Sequence, residues 1–178
     1  MTTGSFFIRQ LASYAAVHRD PRNKATHFIG IPTIVFALLL ALALWRIPLS
    51  GTAITGALAV GALAVLGWIA LDIGVGLTMA VIMVPLWLAA EWLAALLGTS
   101  GTWVASAVLF VAGWILQFLG HHYEGRRPAL IDNLFQAFIG PMFLVAETLV
   151  ALGWRRDLHE AMAAAPAPSG NGRHAEVT

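Results

Sequence analysis

What most constrains this chain is a set of long apolar stretches without a single charge. Phe28 to Trp45, Ile47 to Leu71, Ile73 to Ala90 and Trp92 to Gly120 contain no Asp, Glu, Lys or Arg. Within the last of these, the GTSG at Gly98 to Gly101 reads as a turn, leaving Thr102 to Gly120 as the span. Each run approaches the ~20 residues that a helix needs to cross a hydrocarbon core. Lipid offers no partners to backbone N–H and C=O groups, so runs of this kind are helical. Composition agrees: 59% of the 178 residues are hydrophobic and 11% charged, against roughly a quarter charged in soluble domains. A water-soluble domain of this size has too much surface for its volume to enclose so much apolar material. The expected fold class is therefore all-α, a polytopic membrane helical bundle of about four transmembrane helices. Only Asp72 separates the second run from the third, which predicts a helical hairpin there. Trp45, Trp92, Trp103 and Trp154 fall near the expected ends, where interfacial aromatic residues gather.

Leu134 to Trp154 is also apolar, but Gly140-Pro141 sits near its middle and Glu147 beyond. Proline removes a backbone donor and breaks or kinks a helix, so a re-entrant or interfacial helix is expected rather than a fifth crossing. The chain reads as one membrane-embedded domain over residues 1–160, followed by a disordered tail over 161–178 that is rich in Ala, Pro and Gly. The first twenty residues do not read as a signal peptide, because no basic residue precedes their short apolar patch. No internal repeat is visible.

The charges assign sides. Arg9, Arg19, Arg22 and Lys24 precede the first span and Arg126 and Arg127 follow the fourth, whereas Arg46 alone lies between the first two. By the positive-inside rule the N-terminus and the segment from His121 are both cytoplasmic, which requires an even number of crossings between them. In a bacterium the chain would then occupy the inner membrane. A formal net charge of +1 excludes a nucleic-acid role driven by bulk charge. The absence of cysteine excludes disulfides, Cys-ligated zinc and a thiol nucleophile.

This topology brings two polar segments to one face. His18 and His27 flank an expected turn at Asp20-Pro21 and Arg22-Asn23; His121, His122 and Glu124 lie about a hundred positions later. His121 and Glu124, spaced i, i+3, share one face of a continuing helix. Imidazoles from separate segments with a carboxylate suit iron, zinc or copper, and two histidines with one carboxylate suit non-haem iron in particular. Against this stands a plainer reading: a lone interfacial histidine is more often structural than ligating, and Arg126 and Arg127 could serve only as headgroup anchors. Spacing alone leaves the two readings about level. Glu91 is expected at the headgroup boundary. Glu147, beyond the Gly-Pro pair, is expected to have a partner or a function. His159 and His174, in the tail, are expected to be solvated.

The two segments together resemble the 2-hydroxy fatty acid dioxygenase family, whose fungal members are endoplasmic-reticulum proteins of phytosphingosine breakdown and which has many bacterial relatives. The resemblance rests on Tyr14, His18, Asn23, His27, Gly30, Ile31 and Pro32, then Gln117, Phe118, Gly120, His121, Glu124, Arg126, Pro128 and Ala129, and finally Pro141 and Glu147. The strings THFIGIP and QFLGH…EGRRPAL carry it jointly. It implies an iron(II) enzyme that shortens a long-chain 2-hydroxy fatty acid by one carbon with molecular oxygen. His18, His27, His121 and His122 would be the metal ligands, and Glu124, Arg126, Arg127 and Glu147 the catalytic residues. Arg126 or Arg127 would pair with the substrate carboxylate, which guanidinium matches bidentately. The acyl chain would lie among apolar helices in contact with membrane lipid. Two other classes remain open: a metal-dependent lipid hydrolase with Glu124 or Glu147 as general base, and a transporter or scaffold. Transporters often show internal repeats and broken helices at mid-membrane, whereas this chain shows no repeat and its polar cluster lies at one edge.

Overall fold

A computed structural model of the chain describes residues 5–125 and 134–164. Helix α1 (Phe6–Ala16) starts where the Ser5 hydroxyl accepts from the Ile8 N–H at 3.3 Å. It buries Phe7, Leu11, Tyr14 and Ala15, which form a single stripe at helical spacing. Helix α2 (Pro21–Leu42) begins earlier than the apolar run suggests. The Asp20 carboxylate accepts from the Arg22 N–H at 2.8 Å, and Pro21 takes the first helical position, where its missing N–H costs nothing. The expected turn at Asp20-Pro21 is thus a helix start, and it places His27 on α2.

The second apolar run divides in two. Strands β1 (Arg46–Leu49) and β2 (Thr52–Thr55) form an antiparallel hairpin with Ile47 opposite Ile54, and helix α3 (Gly56–Leu71) begins only after it. Pro48 and the β-branched residues at positions 52, 54 and 55 disfavour helix in this stretch. Thr55 then caps α3, accepting from the Leu58 N–H at 3.1 Å. Asp72 forms the expected tight link: it ends α3, and its carboxylate accepts from the Val75 N–H at 2.9 Å to start α4 (Ile73–Glu124).

Helix α4 spans 52 residues but is not straight. Gly98 leaves helical geometry at φ 64° and ψ 179°. The Thr102 hydroxyl donates to the Gly98 carbonyl at 2.7 Å and lies 3.3 Å from the Ala94 carbonyl. Residues eight apart on a straight helix would be separated by about 12 Å, so the chain folds back on itself at the expected turn. Its second arm runs antiparallel to α2. The Ser106 hydroxyl donates to the Ala37 carbonyl at 2.8 Å, and further along Gly113 meets Gly30 and Gly120 meets His27.

Helix α5 (Leu134–Ala151) runs unbroken through Pro141, contrary to the expected break there. Proline forfeits one hydrogen bond, which neighbouring helices can compensate in an apolar setting. The sharp change of direction comes later, a 114° bend into α6 (Arg156–Ala163). Arg155 fixes this corner, donating from both terminal nitrogens to the Asp72 carboxylate at 2.8 Å each. Ala161, Met162 and Ala163 belong to α6, with Ala164 as its cap, and not to a disordered tail; residues 165–178 lie outside the described residues.

Among the described residues two helices are long and apolar enough to cross a membrane, α2 and α4, or three if α5 and α6 form one bent span; α3, at 16 residues, is shorter. Leu63, Leu66, Val81, Val104 and Ile115 are exposed on the outside of the helices, as are all four tryptophans assigned to interfaces. So broad an apolar surface is compatible with lipid and not with water. The protein is a mostly helical, membrane-associated bundle.

Candidate metal centre

Three elements converge at one end of the bundle. His18 follows the end of α1, His27 lies in the second turn of α2, and His121 lies in the last turn of α4. All three are buried. One ring nitrogen from each can be chosen so that all lie within 4.8 Å of one another. The rings meet edge to face, with centroids 4.8, 5.2 and 4.9 Å apart.

Hydrogen bonding selects the tautomer of two of them. His18 Nδ1 lies 2.8 Å from the Tyr14 carbonyl and His27 Nδ1 lies 2.9 Å from the Asn23 carbonyl, each one helical turn earlier. A carbonyl only accepts, so Nδ1 carries the proton and Nε2 keeps a lone pair. In both residues Nε2 is buried and has no partner. Orphaned buried polar atoms are rare, and a bound ion or water is what satisfies them. Burial pushes the His18 pKa down to about 3, with His27 and His121 adding to the effect, so the ring stays neutral and able to ligate. Tyr14 also stacks flat on His18, with centroids 4.0 Å apart and planes 1° from parallel. A Nδ1–H bonded to a carbonyl with Nε2 free is the usual arrangement of a metal-binding histidine. The donor set therefore fits a metal: three nitrogens, no thiolate, and room for further ligands, as iron, zinc or copper would accept.

Close helix approach makes this geometry possible. A methyl group on Gly120 would overlap the Asn23 and Thr26 side chains and lie 3.0 Å from His27 Nδ1. Gly120 therefore lets α4 approach α2 closely enough for His27 and His121 to share one centre.

The remaining expected residues fall around the centre. His122 is exposed beside Tyr123 and lies outside the three-histidine group. One step along a helix turns a side chain by about 100°, so two adjacent histidines cannot both face the centre. Glu124 also lies outside the group; its carboxylate accepts from the Asp20 N–H at 2.6 Å and joins the end of α4 to the start of α2. Glu147 pairs with Lys24 at 2.7 Å, linking α5 to α2. Glu91, far from the histidines in the fold, accepts from the Thr55 hydroxyl and, at 3.0 Å, from the Trp87 indole. Arg126, Arg127 and His174 lie outside the described residues; His159 is exposed.

A cavity of about 380 Å³ opens from the histidines between α2, the second arm of α4 and α5. Tyr14, His27, Gln117 and His121 line one end, and Ile34, Trp114, Leu38 and Phe110 continue away from it. From His27 to Leu38 is eleven residues, about 16 Å along the helix. Sequence reasoning assigned no role to Tyr14, Asn23 or Gln117. Yet each stands four residues before a histidine of the centre, at 14 and 18, 23 and 27, and 117 and 121, and that spacing was the available signal.

Fold and site together define a helical membrane-associated protein with a buried three-histidine centre at the polar end of an apolar cavity. Over residues 5–152 the chain matches the family described as 2-hydroxy-palmitic acid dioxygenase Mpo1-like, and it belongs to that family. It is 37% identical over 149 residues to the 2-hydroxy-palmitic acid dioxygenase MPO1 of Saccharomyces cerevisiae, covering 82% of this chain and 80% of the yeast protein. No solved structure matches the chain.

Proposed function

We propose that this protein is an iron(II)-dependent dioxygenase that shortens long-chain 2-hydroxy fatty acids by one carbon. One observation carries the reading: three buried histidines, two with orphaned Nε2 atoms, stand at the polar end of an apolar cavity. His18, His27 and His121 would hold the metal, leaving positions for other ligands. Iron(II) there would supply the binding and reduction of oxygen beside a 2-hydroxy acid. The balance needs no further co-substrate: a 2-hydroxy acid and one O2 yield the acid one carbon shorter, CO2 and water. The protein residues hold and enclose. The Tyr14 and Asn23 carbonyls fix the two rings, Glu124 ties the two helix ends that carry His27 and His121, and the walls around Ile34 and Trp114 exclude water from the acyl chain. In the sequence the arginines at 126 and 127 come directly after Gly125, the residue that caps the His121 helix, and their guanidinium groups would suit the substrate carboxylate.

The same reading gives four crossings: α2, the shorter α3 and the two arms of α4, with α5 and α6 lying across the face that holds the histidines. The basic residues Arg22, Lys24 and Arg155 at that face favour a cytoplasmic assignment.

The test is purified, iron-loaded protein incubated with 2-hydroxypalmitate with and without oxygen, followed by product mass. An acid one carbon shorter, formed only with oxygen and matched by oxygen uptake, is expected. Turnover that persists anaerobically would overturn the reading.

A further inference from the structure

Gln117 carries one more unexplained polar atom. It is 6% exposed, lines the cavity beside His27 and His121, and its Nε2 is buried with no hydrogen-bond partner. An amide left unpaired in an apolar wall costs free energy, and the surrounding chain makes space for it. A methyl group on Gly30 would collide with this Nε2, so the glycine on α2 opens the pocket that the amide fills. Nε2 is a donor and cannot ligate a metal, which separates its role from that of the three histidines. Its position, one helical turn from His121 and at the polar end of the cavity, is that of a group meeting the head of a bound chain.

We infer that Gln117 is a specificity-determining residue that donates a hydrogen bond from Nε2 to a carboxylate oxygen of an acyl ligand lying in the cavity. The inference rests on the fatty-acid reading above and deepens it. A carboxylate is the fitting partner because it is acceptor-only and ionised, and hydrogen bonds to ionised acceptors are the stronger ones. With a neutral head the amide would gain less, so Gln117 separates acids from alcohols of the same length.

The test compares binding with two ligands on metal-loaded protein in lipid nanodiscs: 2-hydroxypalmitate, and the vicinal diol in which its carboxyl is reduced to an alcohol. Gln117→Met keeps the length of the side chain and removes the donor; Gln117→Glu keeps the shape and replaces the donor with an acceptor. Wild type is expected to bind the acid more tightly than the diol. Gln117→Met should weaken the acid about 10- to 100-fold, the worth of one hydrogen bond to a charged group, weaken the diol several-fold less than the acid, and leave the bound metal unchanged. Gln117→Glu should weaken the acid further still. Acid affinity unchanged in Gln117→Met overturns the inference, and so does equal weakening of both ligands, which would mark Gln117 as a packing residue. Wild type that binds neither ligand would overturn the fatty-acid reading itself, a result distinct from the other two.

Discussion

Gly120→Ala offers the sharpest probe of how the centre is built. The added methyl would stand 3.0 Å from His27 Nδ1 and overlap the Asn23 and Thr26 side-chain oxygens. Ordinary non-bonded contacts lie at about 3.5–4.0 Å, so α2 and α4 must separate by about 1 Å or those side chains must turn. Overpacking of this kind costs about 1–3 kcal/mol. Alanine returns up to about 1 kcal/mol in helix propensity, which leaves a net global destabilisation of about 0–2 kcal/mol. Metal binding should suffer more, because the strain falls on the hydrogen bond from His27 Nδ1 to the Asn23 carbonyl. Losing such a supporting bond typically lowers metal affinity about 10- to 100-fold.

Gly61→Ala is the control. Its methyl would meet only Leu39 and Met83 side chains at 3.7 and 3.8 Å, ordinary contact distances, so it should be neutral or slightly stabilising. Competitive metal titration of the detergent-purified proteins reads the effect, with thermal unfolding of the metal-free forms alongside. Wild-type metal affinity in Gly120→Ala, or equal loss in Gly61→Ala, would refute the argument that helix approach at this glycine sets the site.

Three further outcomes follow from the same geometry. His18→Ala and His27→Ala should each abolish stoichiometric metal by elemental analysis, whereas His122→Ala and His159→Ala should retain it; retention in both of the first pair would remove the metal centre. Arg155 holds the Asp72 carboxyl below its ordinary range through paired hydrogen bonds. A depressed folded-state pKa adds stability above the unfolded value and loses it as pH falls through the folded one. Asp72→Asn should therefore be about 1–2 kcal/mol less stable at pH 7, and the gap should narrow below about pH 3.9; a gap constant with pH would contradict the assignment. Single cysteines at Ser5 and His122 should react with an impermeant thiol reagent from one side of sealed vesicles and a cysteine at Ser50 from the other, and any other partition would overturn the four-crossing topology.

The sequence made the helices legible because charge depletion over twenty residues has few physical explanations. The link at Asp72 and the reversal at Gly98 were readable for the same reason, since each is a short polar or glycine-containing break between apolar runs. Uncharged length could not reveal the hairpin: Ile47, Leu49 and Ile54 are as apolar as a helix interior, and only Pro48 and the β-branched residues at 52, 54 and 55 argue for strands. Pro141 misled in the opposite direction, because proline penalties measured against water shrink where other helices enclose the segment. At the site, position along the chain brought together the two segments that carry the three-histidine group but could not choose between His121 and His122. That choice depends on the rotational phase of the last turn of α4, which the approach at Gly120 fixes.

Helix ends also explain why such a centre stands at the edge of an apolar bundle and not in its middle. Within a span every backbone carbonyl is engaged by its own helix, and a polar side chain there must find a partner among apolar neighbours. His18 bonds the Tyr14 carbonyl in the last turn of α1, and His27 bonds the Asn23 carbonyl in the first turn of α2. The Tyr14 carbonyl also accepts from the Val17 N–H, at 3.2 Å, and a carbonyl oxygen, with two lone pairs, can take both bonds. Both rings are thus oriented without burying another polar side chain as their support. Glu124 then satisfies the Asp20 N–H at the N-terminal end of α2, where a carboxylate also meets the positive end of the helix dipole. A centre moved two turns deeper would lose the helix-end N–H that Glu124 reaches. The shallow position in turn leaves the length of α2 beyond His27, from Ile31 to Leu38, as the apolar wall of the cavity.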